Sequence, residues 1–545
     1  MCGPMPEHLP QLFVLKLPVT SMPTPPDAVL REQELAPDHA APATTTAPSR
    51  RRFFAIGASA VATMAASAAI DAQTGRPRGK PFAKPMPAGF RPDPSIDWKD
   101  PVLRLVRRIT MGLEPADVAL ARQKGFAGYL DYQLNFEAID DSALDATVVA
   151  RFPLLSQTSA QLRVADAGEV SNQLADAVVF RAAFSRRQLK ERMVEFWTDH
   201  FNILYEKAGY LKVVDDRTVI RQHALGKFPD MLRASAESAA MLNYLDQASS
   251  RKPTPNQNYA REIMELHSLG VDGSYSQDDV AQLSRILTGW SYDGNGIFAF
   301  NRSYHDFTAK TFLGVTFPAM PSTATAPQMK AEGEAAITML VNHPDTARYL
   351  AARMAMWLLS YTPPQSVIDA TAAVYTSTGG DIKEMIRTIM TGKNLMASPA
   401  KYKRPFHLMV SSIRGMGAEV VNIRSMRQRL NLMDMTPFYW EQPDGYPDRV
   451  NWWSGLATQR WNWATYISNV NSATTVRVNI DTNFKMPQNT ADNVVNQINV
   501  RLFANEMPAS LKASLLTYLR AGTYNDARIR ETLALAASSH QFQWY

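Results

Sequence analysis

"NYAREIMELHSLGVDGSYSQDDVAQLSRILTGW", residues 258–290, decides the fold class. Setting Tyr259 at zero and advancing about 100° per residue puts Ile263 and Leu266 within about 40° of it, the apolar stripe of an amphipathic helix. A turn follows at Gly270 to Ser274, and Ser276 with Asp279 has the spacing of a capping box that starts a second helix over 276–289. The same helix–turn–helix reading extends outward in both directions. "EPADVALARQKGFAGYLDYQL" and "SRRQLKERMVEFWTDHFNI" precede it, and further helices are expected near 216–226, 228–248, 330–341, 344–360, 365–377, 380–392, 400–417, 455–468 and within 488–540. Only "NGIFAFNRSYHDFTAKTFLGVTF", 295–317, has the alternation and turn residues of a β-hairpin. The expectation is a mainly α protein, one large domain of antiparallel helices over 97–545 with one small hairpin.

Ahead of that domain, "SRRRFFAIGASAVATMAASAAIDAQ" sets Arg50 and Arg51 before Phe53, Phe54 and a stretch rich in Ala. It reads as a twin-arginine signal peptide occupying 1–72 with a long n-region, cleaved after Ala68 or Ala72. Residues 73–96 read as a Pro/Gly-rich linker. The location implied is periplasmic or secreted, with the twin-arginine export machinery as a partner. The single cysteine, Cys2, precedes the signal, so disulfides, zinc–thiolate sites and cysteine nucleophiles are excluded from the exported chain. A net charge of +6 spread over 545 residues without a basic run argues against nucleic acid. There is no nucleophilic serine elbow, phosphate loop or dinucleotide fingerprint.

Six ordered motifs carry a family resemblance: "LRLVRRITMGLEP" (103–115), "ERMVEFWTDHFNI" (191–203), the 258–290 stretch, "HDFTAKTFLG" (305–314), "HPDTARYLAARM" (343–354) and "YKRPFHLMVSSIRGMG" (402–417). The chain resembles the bacterial domain of unknown function 1800 family, which implies an exported, largely helical protein often encoded beside a sulfatase-like exported protein, a partner to consider here. Two positions depart from the family pattern. Arg104 stands where many members have His, and Thr308 or Ala309 where Gly is usual.

The chemistry must come from the residues. On the wheel Glu262 falls at about 300°, inside or at the edge of the buried stripe, and Glu265 at about 240°, on the same side one turn on, with Asn258 beneath both. His267 points elsewhere, at about 80°. Two adjacent carboxyls raise each other's pKa, the condition a general acid needs. The plainer reading pairs Arg261 with Glu265 and has Glu262 anchor a loop by hydrogen bonds. His200, wedged among aromatics in "FWTDHF", and His305 with Asp306 in "YHDFTAK", followed by Lys310, are the other candidates, His200 equally readable as a core or capping histidine. Together with Glu262 and Glu265 the two histidines have the side-chain types of a divalent metal site, although no HExxH or calcium-loop spacing is present, and no cofactor is assigned.

Farther on, "PFYWEQPDGYPDRVNWWSGLATQRWNW", 437–463, sets Trp440, Tyr446, Trp452 and Trp453 among Asp444, Asp448 and Arg449. Aromatic faces beside polar groups bind sugar rings; the alternative is that they pin the loop into the core. Trp290 is expected to reach the same pocket. Asn258, Arg261 and Lys310 complete the substrate-binding set. The resulting expectation is an exported hydrolase or lyase acting on a polymer, a polysaccharide first, by carboxylate acid/base chemistry. The alternative is a non-catalytic envelope assembly or binding protein whose paired charges lock its helices.

Overall fold

A computed structural model describes Ile96 and residues 98–545, and all of these fall in one compact unit. The expected signal peptide and almost all of the expected linker lie outside the described residues. The fold is mainly α. The helices that position the site, numbered in chain order, are α1 (Pro101–Ile109), α2 (Gln188–His200), α3 (Asn258–Glu265), α4 (Gln277–Ile286), α5 (Ala326–Asn342), α6 (Pro344–Leu358) and α7 (Pro405–Met416). Their ends follow local chemistry. The Asp100 carboxylate accepts from the Val102 N–H at 2.8 Å to start α1. The Ser276–Asp279 capping box forms as its spacing predicts, with the Asp279 N–H on Ser276 Oγ at 3.1 Å and the Ser276 N–H on Asp279 Oδ2 at 2.8 Å. Proline opens α1, α6 and α7 within the first turn, where a missing N–H costs nothing.

The expected helix over 228–248 is broken into Phe228–Ala236 and Ala239–Tyr244, and the chain then turns at Asp246 in the left-handed region. Strand pairing is also finer than expected. The 295–317 region contributes to two hairpins: β1 (Trp290–Tyr292) with β2 (Phe298–Phe300), and β3 (Lys310–Phe312) with β4 (Val315–Phe317). The second closes on Leu313 and Gly314, both at positive φ, as a two-residue turn between right-twisted strands requires. A third pair, β5 (Ala418–Val420) with β6 (Val476–Val478), joins segments far apart in sequence.

Buried apolar side chains form two large clusters. One gathers α1 to α6 around Trp197, Phe228, Tyr259, Trp290 and Trp357; the other packs the helices within 142–184 against α7 and the helices after it, around Trp453 and Trp463. α3 lays Tyr259, Ala260, Ile263 and Met264 into the first cluster, the stripe read from the sequence. Among the described residues no helix is long and apolar enough to cross a membrane.

Candidate functional site

The charged face of α3 is the natural start. Arg261 Nη1 lies 3.3 Å from Glu265 Oε1, one helical turn away, and its other nitrogen donates to Gln277 at 3.0 Å. Pairing of Arg261 with Glu265 is thus present. Anchoring of a loop by Glu262 is not: among the described residues its half-buried carboxyl has neither a hydrogen bond nor an ion pair. Burial pushes its pKa up to about 7, reinforced by the Glu265 and Asp444 charges and opposed by Arg261. Asn258 lies at the start of the same helix, its amide on the Leu245 carbonyl at 3.3 Å.

Asp444 belongs to the aromatic segment, so the carboxyl of α3 and that segment share one electrostatic neighbourhood. The 440–446 loop is tied down there by Asn202, whose amide donates to the carbonyls of Trp440 at 3.0 Å and Gln442 at 2.6 Å, and by Tyr244, whose hydroxyl donates to Glu441 O at 2.8 Å. Next to it lies a cavity of about 350 Å³ whose wall carries Trp440, Tyr446, Trp452, Asp444, Asp448 and Arg449, all six named from sequence. Trp440 is the hub: its ring lies 5.0 Å from Tyr446 and 5.7 Å from Trp452, and its indole N–H donates to Asp444 at 3.1 Å. Trp452 is 53% exposed, at the edge of the group. Trp453 departs from expectation. It is buried, with its N–H on Pro447 O at 2.7 Å, and pins the loop rather than facing a ligand.

Asp199 and Arg404, which line the cavity, belong to an ion-pair network that sequence reading missed. α2 sends Glu195 and Asp199 from one face, four residues apart, to a single guanidinium, Arg404; Asp199 Oδ2 is 2.6 Å away and Glu195 is closer. Arg192, 2.8 Å from Glu195, and Arg404 lie 4.1 and 4.6 Å from the Trp357 ring centroid. Asp199 is raised to about 6, burial outweighing the Arg404 charge. Arg353 of α6 also lines the cavity, whose charged residues are Arg353, Arg404 and Arg449 with Asp199, Asp444 and Asp448.

Gly445 holds this arrangement. Its φ is +74°, and a Cβ there would sit 2.2 Å from the Asp199 carbonyl oxygen, so the loop lies directly on the end of α2. Gly445→Ala is expected to lower stability by about 1–3 kcal/mol through strain and overpacking. Urea unfolding measures it; an unchanged midpoint would show that the loop does not rest on α2.

Several expected site residues lie elsewhere, which corrects their assignment. His200 is a core histidine: 1% exposed, ringed by Phe196, Trp197, Phe201, Phe228 and Tyr349, with Nε2 3.2 Å from the His267 carbonyl. Burial pushes it well below the usual imidazole range, with Arg353 and His267 adding to the effect, and burial with Arg353 takes His267 to about 3. A folded-state pKa below the unfolded one means that these two rings cost stability as pH falls from about 6.5 toward 3, where the unfolded chain takes up the protons first. Neither ring is expected to titrate between pH 5 and 8 in an NMR titration; a midpoint near 6.5 for either would contradict their burial.

His305 and Lys310 are likewise sealed. His305 Nε2 is 3.1 Å, and Lys310 Nζ 2.8 Å, from the same Glu332 oxygen, and all three side chains are at most 1% exposed. Glu332 comes from α5, and this set locks β3 to that helix. Asp306 is bound to Arg285 at 2.7 Å and Thr308 at 2.6 Å; these bonds outweigh burial and hold it at about 2, too low for proton transfer at neutral pH. Trp290 is 1% exposed against Gly333, where a Cβ would meet its ring at 2.5 Å, so it packs β1 on α5 and does not reach the cavity. The carboxylate–histidine metal set is therefore not assembled: among the described residues no group of three or more His, Cys, Asp or Glu is placed to hold a metal ion.

A family model described as a protein of unknown function (DUF1800) matches residues 104–544. No match is found among curated proteins or among solved structures.

Proposed function

Because the chain belongs to the DUF1800 family, whose description assigns no activity, its site must speak for itself, and we propose an exported hydrolase or lyase acting on a polysaccharide. The single observation that carries this reading is Glu262, a half-buried carboxyl with no partner among the described residues and a pKa near 7, in the electrostatic neighbourhood of a cavity with aromatic walls. Glu262 is the general acid, with a large protonated fraction at neutral pH because burial and a neighbouring carboxylate disfavour its charge. Glu265, paired with Arg261, is the second carboxylate, stabilising developing positive charge or activating water. Trp440, Tyr446 and Trp452 supply apolar faces for sugar rings, and Asp444 a polar acceptor for hydroxyl groups. The signal sequence supports passage through the twin-arginine machinery to the periplasm or beyond, and the family resemblance supports a sulfatase-like exported partner.

The test is to incubate the purified protein with neutral and acidic polysaccharides and to follow new reducing ends and unsaturated products. Turnover of at least one polymer is expected. Product from none of them would overturn the enzyme reading in favour of an envelope binding or assembly protein, for which the buried Arg404, Glu195 and Asp199 network is the favouring observation.

A further inference from the structure

The charges of the cavity do not all find partners. Arg404 is spent on Glu195 and Asp199, and Asp448 is held by Lys401. Arg353 and Arg449 remain, together with Asp444, which among the described residues has only the Trp440 indole N–H. Among the described residues neither guanidinium has an ion-pair or hydrogen-bond partner, and Arg353 Nε is fully buried without one. An unpaired guanidinium lining a cavity is available to an anion there. Arg353 stands on the apolar helix α6, which fixes its backbone, and it lines the cavity. Arg449, exposed and directly after Asp448, lines the same cavity.

We propose that the cavity recognises an acidic sugar residue, its carboxylate or sulfate ester held by Arg353 and Arg449 and its ring laid against Trp440 and Trp452. Planar guanidinium groups match the paired oxygens of both anions, and they keep their charge at any physiological pH. A volume of about 350 Å³ accommodates a sugar unit with its charged substituent, while the exposed edge at Trp452 leaves room for the chain to continue. Asp444, oriented by the Trp440 indole, is then the acceptor for a hydroxyl of the same ring. The inference deepens the polysaccharide reading and rests on it for the identity of the ligand, but it concerns binding alone.

Binding is therefore measured without reference to turnover, by calorimetry with oligosaccharides of a uronate polymer, a sulfated polymer and neutral dextran. The full exported chain is expected to bind at least one acidic ligand and to bind dextran at least about 10-fold more weakly. Arg353→Gln and Arg449→Gln should each weaken the acidic ligand by roughly 10- to 100-fold, the worth of a charge-assisted hydrogen bond. Arg520→Gln, which removes an exposed charge paired with Asp492, should not change it. Which acidic ligand responds identifies carboxylate or sulfate. Equal binding of dextran, unchanged affinity in both cavity variants, or an equal loss in Arg520→Gln would each overturn the proposal. Arg353-dependent binding without product would leave it standing and remove the enzyme reading; turnover of a neutral polymer with no acidic binding would do the reverse.

Discussion

Glu262→Gln is expected to lower kcat on the polysaccharide by about 10²–10⁴-fold, the range for a lost general acid. Folding should survive, for a reason that separates this residue from an ordinary charged lock. A carboxyl whose folded-state pKa is raised from 4.5 to about 7 is a group the folded chain prefers protonated. Its contribution is fully present below the unfolded value and is lost as pH rises from about 4.5 through about 7. The neutral amide removes that penalty, so at pH 8 the melting temperature of the variant should equal or exceed that of the parent. Wild-type activity should fall as pH rises through about 7, because the acid is then deprotonated. A variant that retains full turnover, or that unfolds at pH 8, would remove Glu262 from the chemistry.

The opposite behaviour is expected at the Arg404 ion-pair network. Arg404→Ala leaves Glu195 and Asp199 without the guanidinium they share, in a site where Arg404 is 3% exposed. Removing one member of a buried ion pair costs about 3–5 kcal/mol, because a charge is left out of water without its partner; here that charge is Asp199, since Glu195 keeps Arg192 at 2.8 Å. Denaturant unfolding should register a loss of that size, and the cavity should lose ligand affinity with it. A loss below about 1 kcal/mol would mean that solvent reaches the network and that it does not shape the site.

The two cases show how far the sequence could be read. Glu262 was legible because a helix of known period decides which side chains share a face, and Arg261 with Glu265 followed from the same rule at i, i+4. The aromatic segment was legible because its polar and aromatic residues lie within one short loop and line one cavity. His200, His305, Lys310 and Trp290 were not, since their fates depend on partners remote in sequence: the rings of Phe228 and His267, the carboxylate of Glu332, the bare backbone of Gly333. Arg353 was overlooked for a related reason. It sits inside an apolar run of α6 that reads as core, and a charge on such a stripe is the signal that would have found it.

The most direct measurement is the titration of the Glu262 side-chain carboxyl by carbon NMR, assigned by the resonance missing from Glu262→Gln. A midpoint near 7 is expected. A midpoint in the ordinary glutamate range, near about 4.3, would contradict it, since a carboxyl ionised at neutral pH has no proton to give.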